Sequence, residues 1–197
     1  MNEVEAKGAL LKEASRKTAL LSAEDKNAAL AAIAAALEAN AGVIIDANAA
    51  DMETGRRNGM PQPMLDRLLL TEKRIGDIAG AVRELITLQD PVGEVMEEWT
   101  RPNGMNIKKI RVPMGVIGMI YEARPNVTVD AATIALKTGS AIMLRGSSSA
   151  INSNRALAAI MRRALEKTAV PSDAVQLIED RSHECVRQMQ RLNEYLD

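Results

Sequence analysis

Through the first ninety residues or so, apolar positions recur at helical spacing with polar ones between them. Val4, Leu11, Ala14, Thr18 and Leu21 share one face of a first helix. Ser22-Ala23-Glu24-Asp25 then resembles an N-terminal cap for the next, with aspartate standing where a capping box usually has glutamate. Leu30, Ile33 and Leu37 carry that second helix through an alanine-rich stretch. A third is expected over 41–56, stopped near Asn58-Gly59, and a short fourth after Pro61 and Pro63. Thr71 is placed to cap a fifth, whose stripe is Ile75, Ile78, Ala79, Val82, Leu85 and Ile86 and which Asp90-Pro91 ends.

The period then changes. Segments 92–100 and 105–112 flank Asn103-Gly104, a turn pair favoured in hairpins, so an antiparallel excursion is expected there. Met105 and Ile107 fall on one face but Ile110 and Val112 on the other, which predicts a bulge or bend near Lys108-Lys109. From Pro113 onward, short apolar runs alternate with helical stretches. Strands are expected over 116–122, 141–144 and 175–178, with helices over 127–137, 150–168 and 184–192. Strands buried on both faces and separated by helices imply a parallel sheet with right-handed crossovers, hence an α/β protein with helices on both faces of the sheet. So small a sheet leaves an edge unpaired, and self-association through that edge or the hairpin is the expected response, unless helices fold back over it.

Composition narrows the function classes. Of 197 residues, 47% are hydrophobic and 26% charged, an ordinary balance for a chain that buries a core. With a formal net charge of −1 and basic residues clustered only in pairs, no nucleic-acid or anionic-membrane footprint is expected. No apolar run approaches the ~20 residues of a membrane span and the first residues lack the pattern of a signal peptide, so a cytoplasmic location is expected. One cysteine and one histidine make neither a disulfide nor a Cys/His metal site. Phenylalanine is absent, leaving aliphatic side chains and eleven methionines to fill the core.

Ligands of open parallel sheets sit outside the carboxyl ends of the strands, which singles out Tyr121-Glu122-Ala123-Arg124-Pro125-Asn126 and Arg145-Gly146-Ser147-Ser148-Ser149. The second sets a guanidinium after a strand, followed by a small residue and three hydroxyls, which suits a phosphate or ribose; an arginine pairing a carboxylate, with serines serving only as caps, is the plainer reading. In the first segment, Asn126 can cap the following helix or donate to a developing oxyanion, and Glu122 and Arg124 can pair with each other or bind a charged substrate. Neither common nucleotide fingerprint is present: Gly115-Val116-Ile117-Gly118 lies at the start of a strand with the wrong spacing, and the Arg145 loop has no Walker lysine. Cys185 is expected to be a quiet half-buried thiol and His183 an exposed helix-start residue.

The run from Val112-Pro113-Met114-Gly115 through Tyr121-Glu122-Ala123-Arg124-Pro125-Asn126 to Asp130 closely resembles the signature of the γ-glutamyl phosphate reductases, also called glutamate-5-semialdehyde dehydrogenases. The stretch 136–146, Leu-Lys-Thr-Gly-Ser-Ala-Ile-Met-Leu-Arg-Gly, resembles the same family, and weaker likeness runs through Asn48-Ala49-Ala50-Asp51 and Met64-Leu65-Asp66-Arg67-Leu68. The resemblance implies a partial aldehyde-dehydrogenase-like, Rossmann-type fold: 1–91 as the helical beginning of the nucleotide domain, 92–112 as an oligomerisation hairpin and 113–197 as its parallel part, with the catalytic domain absent. It implies NADPH-dependent reduction of glutamyl phosphate through a cysteine thioester, with NADP as cofactor, a homo-oligomer, and glutamate 5-kinase as a candidate partner. Tyr121, Glu122, Arg145, Gly146, Ser147 and Ser148 become the cofactor-binding candidates, Arg124 and Asn126 the substrate-binding ones. Asn126 is the candidate oxyanion asparagine, although the spacing in wider aldehyde dehydrogenases sets Arg124 at that position instead. The surroundings of Cys185 are not those of the family's nucleophile, so this chain alone is expected to be inactive; a non-catalytic NADP-binding or assembly fragment is the alternative.

Overall fold

The computed structural model describes residues 2–197. Its helical beginning comprises α1 (Glu3–Thr18), α2 (Ala23–Ala39), α3 (Ala41–Arg57), α4 (Gln62–Leu68) and α5 (Glu72–Thr87). Local chemistry fixes the starts. Ser22 and Asp25 form a reciprocal box, the aspartate accepting from Ser22 N at 3.2 Å, so the shorter acid serves. Asn2 and Glu5 form a second box, with bonds of 2.9 and 3.2 Å, that the Asn-x-x-Glu spacing announces but the hydrophobic pattern does not. Thr71 accepts from Arg74 N at 3.2 Å to open α5. The buried faces are the expected stripes: Val4, Leu11 and Ala14 on α1, Leu30, Ile33 and Leu37 on α2, Ile75, Ala79 and Val82 on α5.

The hairpin pairs β1 (Val95–Thr100) with β2 (Asn106–Ile110) in antiparallel register, Trp99 opposite Ile107 and Glu98 opposite Lys108. Gly104 takes a φ of +85° in the turn, where its missing Cβ removes the strain. The irregularity lies between Val95 and Glu97, not at Lys108-Lys109 as the alternation predicts. The phase break read in β2 is real, but the extra residue, Met96, sits on the strand opposite.

Beyond the hairpin, β3 (Val116–Ile120), α6 (Pro125–Lys137), β4 (Ala141–Arg145), α7 (Ile151–Leu165), β5 (Val175–Leu177) and α8 (His183–Gln190) build a parallel sheet in the order β3-β4-β5. The partial aldehyde-dehydrogenase-like α/β architecture expected from the sequence is present. Helices α6 and α7 pack on one face and α1 on the other. Accordingly Ala141, Ile142, Met143 and Leu144 are all buried, the mark of a strand covered on both sides. The outer edge of β3 is partly satisfied: Val116 N donates to Asp197 Oδ2 and Asp197 N to Val116 O, each at 3.0 Å.

An ionic cluster lies inside the helical layer. Lys26 is 1% exposed and meets Asp90 at 2.5 Å; the other Asp90 oxygen accepts from Val92 N at 3.0 Å. Nearby, Lys137 Nζ donates to Asn27 Oδ1 at 2.8 Å and Ile86 O at 3.3 Å. Burial pushes the Asp90 carboxyl up, but the bonds from Lys26 and Val92 N and the two ammonium charges outweigh it and hold the group below its ordinary value. For Lys137 burial dominates, reinforced by Lys26 and opposed by Asp90, and its ammonium is held below its ordinary value.

Candidate functional site

The strands end at Ile120, Arg145 and Leu177, and the loops beyond them carry the residues singled out by sequence. Pro125 fixes the first turn of α6, its locked φ suiting that position and its missing N–H leaving nothing unsatisfied. Arg124 therefore stands at the cap position, without a side-chain cap bond, and Asn126 is inside the helix. The capping role allowed to Asn126 is overturned: its Nδ2 donates to Asp130 Oδ2 at 3.0 Å, one turn on. Burial raises the Asp130 carboxyl above its ordinary value, against the lowering effect of that bond. Glu122 and Arg124, which the sequence allowed to pair, form no ion pair.

In the second loop Ser147 accepts from Ser149 N at 3.3 Å and caps a single 3₁₀ turn, Ser148–Ala150, so one serine does serve as a cap. The cap of α7 itself comes from α3. Asp51, 2% exposed, accepts from Asn152 N and Nδ2 on one oxygen and from Ser153 N and Oγ on the other, at 2.6 to 3.2 Å. Asn48 binds the same Ser153 hydroxyl at 3.0 Å and bridges Leu68 O and Leu70 N. A carboxylate thus occupies the amides that could hold a phosphate at the start of α7.

Arg145 pairs with no carboxylate either. Its terminal nitrogens donate to the carbonyls of Gly146, Arg181 and Ser182 at 3.2 to 3.3 Å, bracing the loop beyond β5, while its buried Nε has no partner among the described residues. Tyr121 turns its hydroxyl inward, 2.7 Å from Thr128 Oγ1, which donates to Asn154 Oδ1 at 2.9 Å. Burial pushes that phenol up to about 12, the Thr128 bond notwithstanding. Gly146 is buried against the Tyr121 ring and the Asn154 amide.

Two cavities open beside these loops. One, of about 380 Å³, is lined by Glu122, Arg124, Ser147 and Ser149, with Met64 and Arg67 from α4. The other, of about 460 Å³, lies among α4, α5 and the start of α6 and includes Arg67, Arg74, Asp77, Arg124 and Asn126. The structure thus brings Glu122, Arg124 and Ser147 together, sets Asn126 in the adjoining cavity, keeps Tyr121 and Gly146 in the packing behind, and leaves Ser148 exposed. Sequence reasoning missed Arg67 as a lining residue, although it lies within one of the quoted motifs, and it singled out the segment holding Ser149 without carrying that serine among the cofactor-binding candidates. Cys185 is fully buried rather than half-buried, with the carbonyls of Ser182 and Asp180 within reach of its thiol at 3.0 and 3.3 Å. His183 is exposed, as expected.

No protein-family model matches the chain. A gamma-glutamyl phosphate reductase of Anoxybacillus flavithermus is 56% identical over all 197 residues, which span 48% of that relative. The crystal structure of the Thermotoga maritima gamma-glutamyl phosphate reductase superposes with a TM-score of 0.97 at 42% identity, covering 99% of this chain and 47% of that one. At the level of fold alone, an acetylating aldehyde dehydrogenase from Geobacillus thermoglucosidasius has a TM-score of 0.74 at 16% identity, over 99% of this chain and 40% of that one. A glyceraldehyde-3-phosphate dehydrogenase of Methanocaldococcus jannaschii, solved with NADP, has a TM-score of 0.72 at 21% identity, with the same 99% and 40% coverage. A small parallel sheet flanked by helices, with a projecting hairpin and clefts at the carboxyl ends of its strands, is that of the aldehyde-dehydrogenase-like proteins. Within that class, this chain is homologous along its whole length to the gamma-glutamyl phosphate reductases, and it spans about half the length of the curated relatives it matches.

Proposed function

We propose that the chain is the nucleotide-binding part of an NADP-linked glutamate-5-semialdehyde dehydrogenase, a cytoplasmic enzyme of proline synthesis that reduces L-glutamyl 5-phosphate to L-glutamate 5-semialdehyde with release of phosphate. The observation that carries the reading is the convergence of Glu122, Arg124, Ser147 and Ser149, from the two loops with family-like sequence, on one cleft at the carboxyl ends of β3 and β4. A carboxylate and two hydroxyls suit ribose hydroxyls. Asp51 already satisfies the start of α7, so that helix end is assigned no phosphate. A bound NADPH would supply the hydride. Asn126 or Arg124, at the start of α6, is the donor assigned to a developing oxyanion. Cys185, buried and held against carbonyls, is not the nucleophile, so this chain alone is assigned no turnover. The same observation favours, as a second reading, a non-catalytic NADP-binding or assembly unit. A homo-oligomer built through the hairpin, and glutamate 5-kinase as a partner, belong to the reductase reading.

Calorimetric titration of the chain with NADPH and with NADH tests the nucleotide assignment. Saturable NADPH binding is expected, weakened by Arg145→Ala more than NADH binding is, because a guanidinium that reads the 2′-phosphate matters only where that phosphate exists. No heat with millimolar NADPH would remove the nucleotide reading, and an equal loss for both cofactors would remove Arg145 from phosphate recognition.

A further inference from the structure

The two cavities share the side chains of Arg67, in the last turn of α4, and Arg124, at the start of α6. Among the described residues neither guanidinium has a hydrogen-bond or ion-pair partner. The other charges of the larger cavity are matched: Asp66 with Arg74 at 2.8 Å, and Asp77 with Lys73 at 2.7 Å. The larger cavity is left with two uncompensated positive charges, to which the positive end of α6 adds, while Glu122 lines only the smaller one. A basic residue near the carboxyl end of α4 is favoured by that helix's own dipole, but the dipole does not account for a second unpaired guanidinium on the same cavity.

Both arginines stand on fixed supports. Arg67 is flanked on α4 by the buried Leu65 and Leu68, and Arg124 by the buried Ala123 and Pro125, its N–H donating to Glu122 O at 2.8 Å. Guanidinium forks bind planar or tetrahedral oxyanions through paired hydrogen bonds, and two forks at one cavity bind such a group more tightly than either alone.

We propose that Arg67 and Arg124 form a two-arginine oxyanion subsite that holds an anionic group of the substrate, a carboxylate or a phosphoryl group, which leaves the developing oxyanion to Asn126. Assigning that group to a substrate rests on the reductase reading; the existence of the subsite does not.

The test follows the arginine Nε–H resonances of the whole 197-residue chain by NMR during titration with inorganic phosphate and, separately, with L-glutamate. The resonances of Arg67 and Arg124 are expected to move together along one saturating curve, and the anion that saturates at the lower concentration names the group held. Arg67→Gln should weaken the response at Arg124 about tenfold, Arg124→Gln should do the same at Arg67, and Arg67→Lys should recover part of the loss. Both side chains are exposed, so the variants are expected to unfold at the parent's temperature, which a melt verifies. Arg56→Gln, on the exposed side of α3, should change nothing. The subsite is overturned if neither anion shifts the pair more than it shifts Arg56, or if Arg67→Gln leaves the dissociation constant within about twofold of the parent. NADPH titration of the parent chain separates the two ideas: loss of nucleotide binding with an intact, Arg67-dependent anion curve defeats the reductase reading and keeps the subsite.

Discussion

A methyl group added at Gly146 would lie 2.2 Å from Asn154 Nδ2 and 2.9 Å from two atoms of the Tyr121 ring. These neighbours belong to the part-buried Tyr121–Thr128–Asn154 chain of hydrogen bonds, which their retreat would disturb. Gly146→Ala is expected to destabilise the fold by about 1–3 kcal/mol, read as a lower urea midpoint at unchanged slope; a midpoint equal to the parent's would mean that the loop relaxes freely. The sequence marked Gly146 and Tyr121 by their place after a strand, and the structure packs the two against each other, a difference the sequence does not display because a residue there can point out to a ligand or back into the core. Asn126 shows the same limit. Its cap role looked available from residue type alone, while Pro125 immediately before it was the stronger signal for where α6 begins. Arg67 and Arg124 come to line the same cavities only in three dimensions, and their separation along the chain conceals it.

Among the elements, the helices and parallel strands were legible because each buries a stripe or a run whose period the sequence displays. The Lys26–Asp90–Lys137 cluster was not, because its members lie on α2, the segment after α5, and α6. Its pH behaviour follows from the directions of the shifts. Asp90 holds its proton less tightly folded than unfolded, so its contribution to stability is present above the ordinary aspartate value of ~3.9 and is lost as pH falls through the lower folded value. Lys137 acts in the alkaline range: its lowered value makes the charged form a burden in the fold, relieved as pH rises through that folded value. Asp90→Asn leaves the Lys26 ammonium buried without its counter-charge and is expected to cost about 3 kcal/mol at neutral pH. Denaturant unfolding at a series of pH values should show a shallower acid limb in the variant. Parallel acid limbs would show that Asp90 does not drive the acid loss.

At the scale of the whole molecule, one core cluster runs from Val4 to Leu192 and takes in helices and sheet together, whereas β1 and β2 stand apart from it. A two-stranded ribbon alone in water is marginal. This one exposes Val95, Met96, Trp99, Met105 and Ile110, each at least 41% accessible, with the cross-strand pairs Glu97–Lys109 and Glu98–Lys108 among them. Self-association through the ribbon is therefore the expected behaviour of the chain. Trp99 is the only tryptophan, so its emission reports on this element alone. Raising the protein concentration should shift that emission to shorter wavelength in step with a faster sedimentation boundary; a single monomeric boundary throughout, with unchanged emission, would defeat the expectation. The partial cover that Asp197 gives the β3 edge leaves the ribbon as the more open of the two surfaces. A different consequence follows from the acid of α3 that closes the first turn of α7, reaching Ser153 across 102 positions of sequence. The ribosome releases the acceptor of that closure long before the helix whose amides it takes up, so α7 emerges beside a chain that already holds its cap.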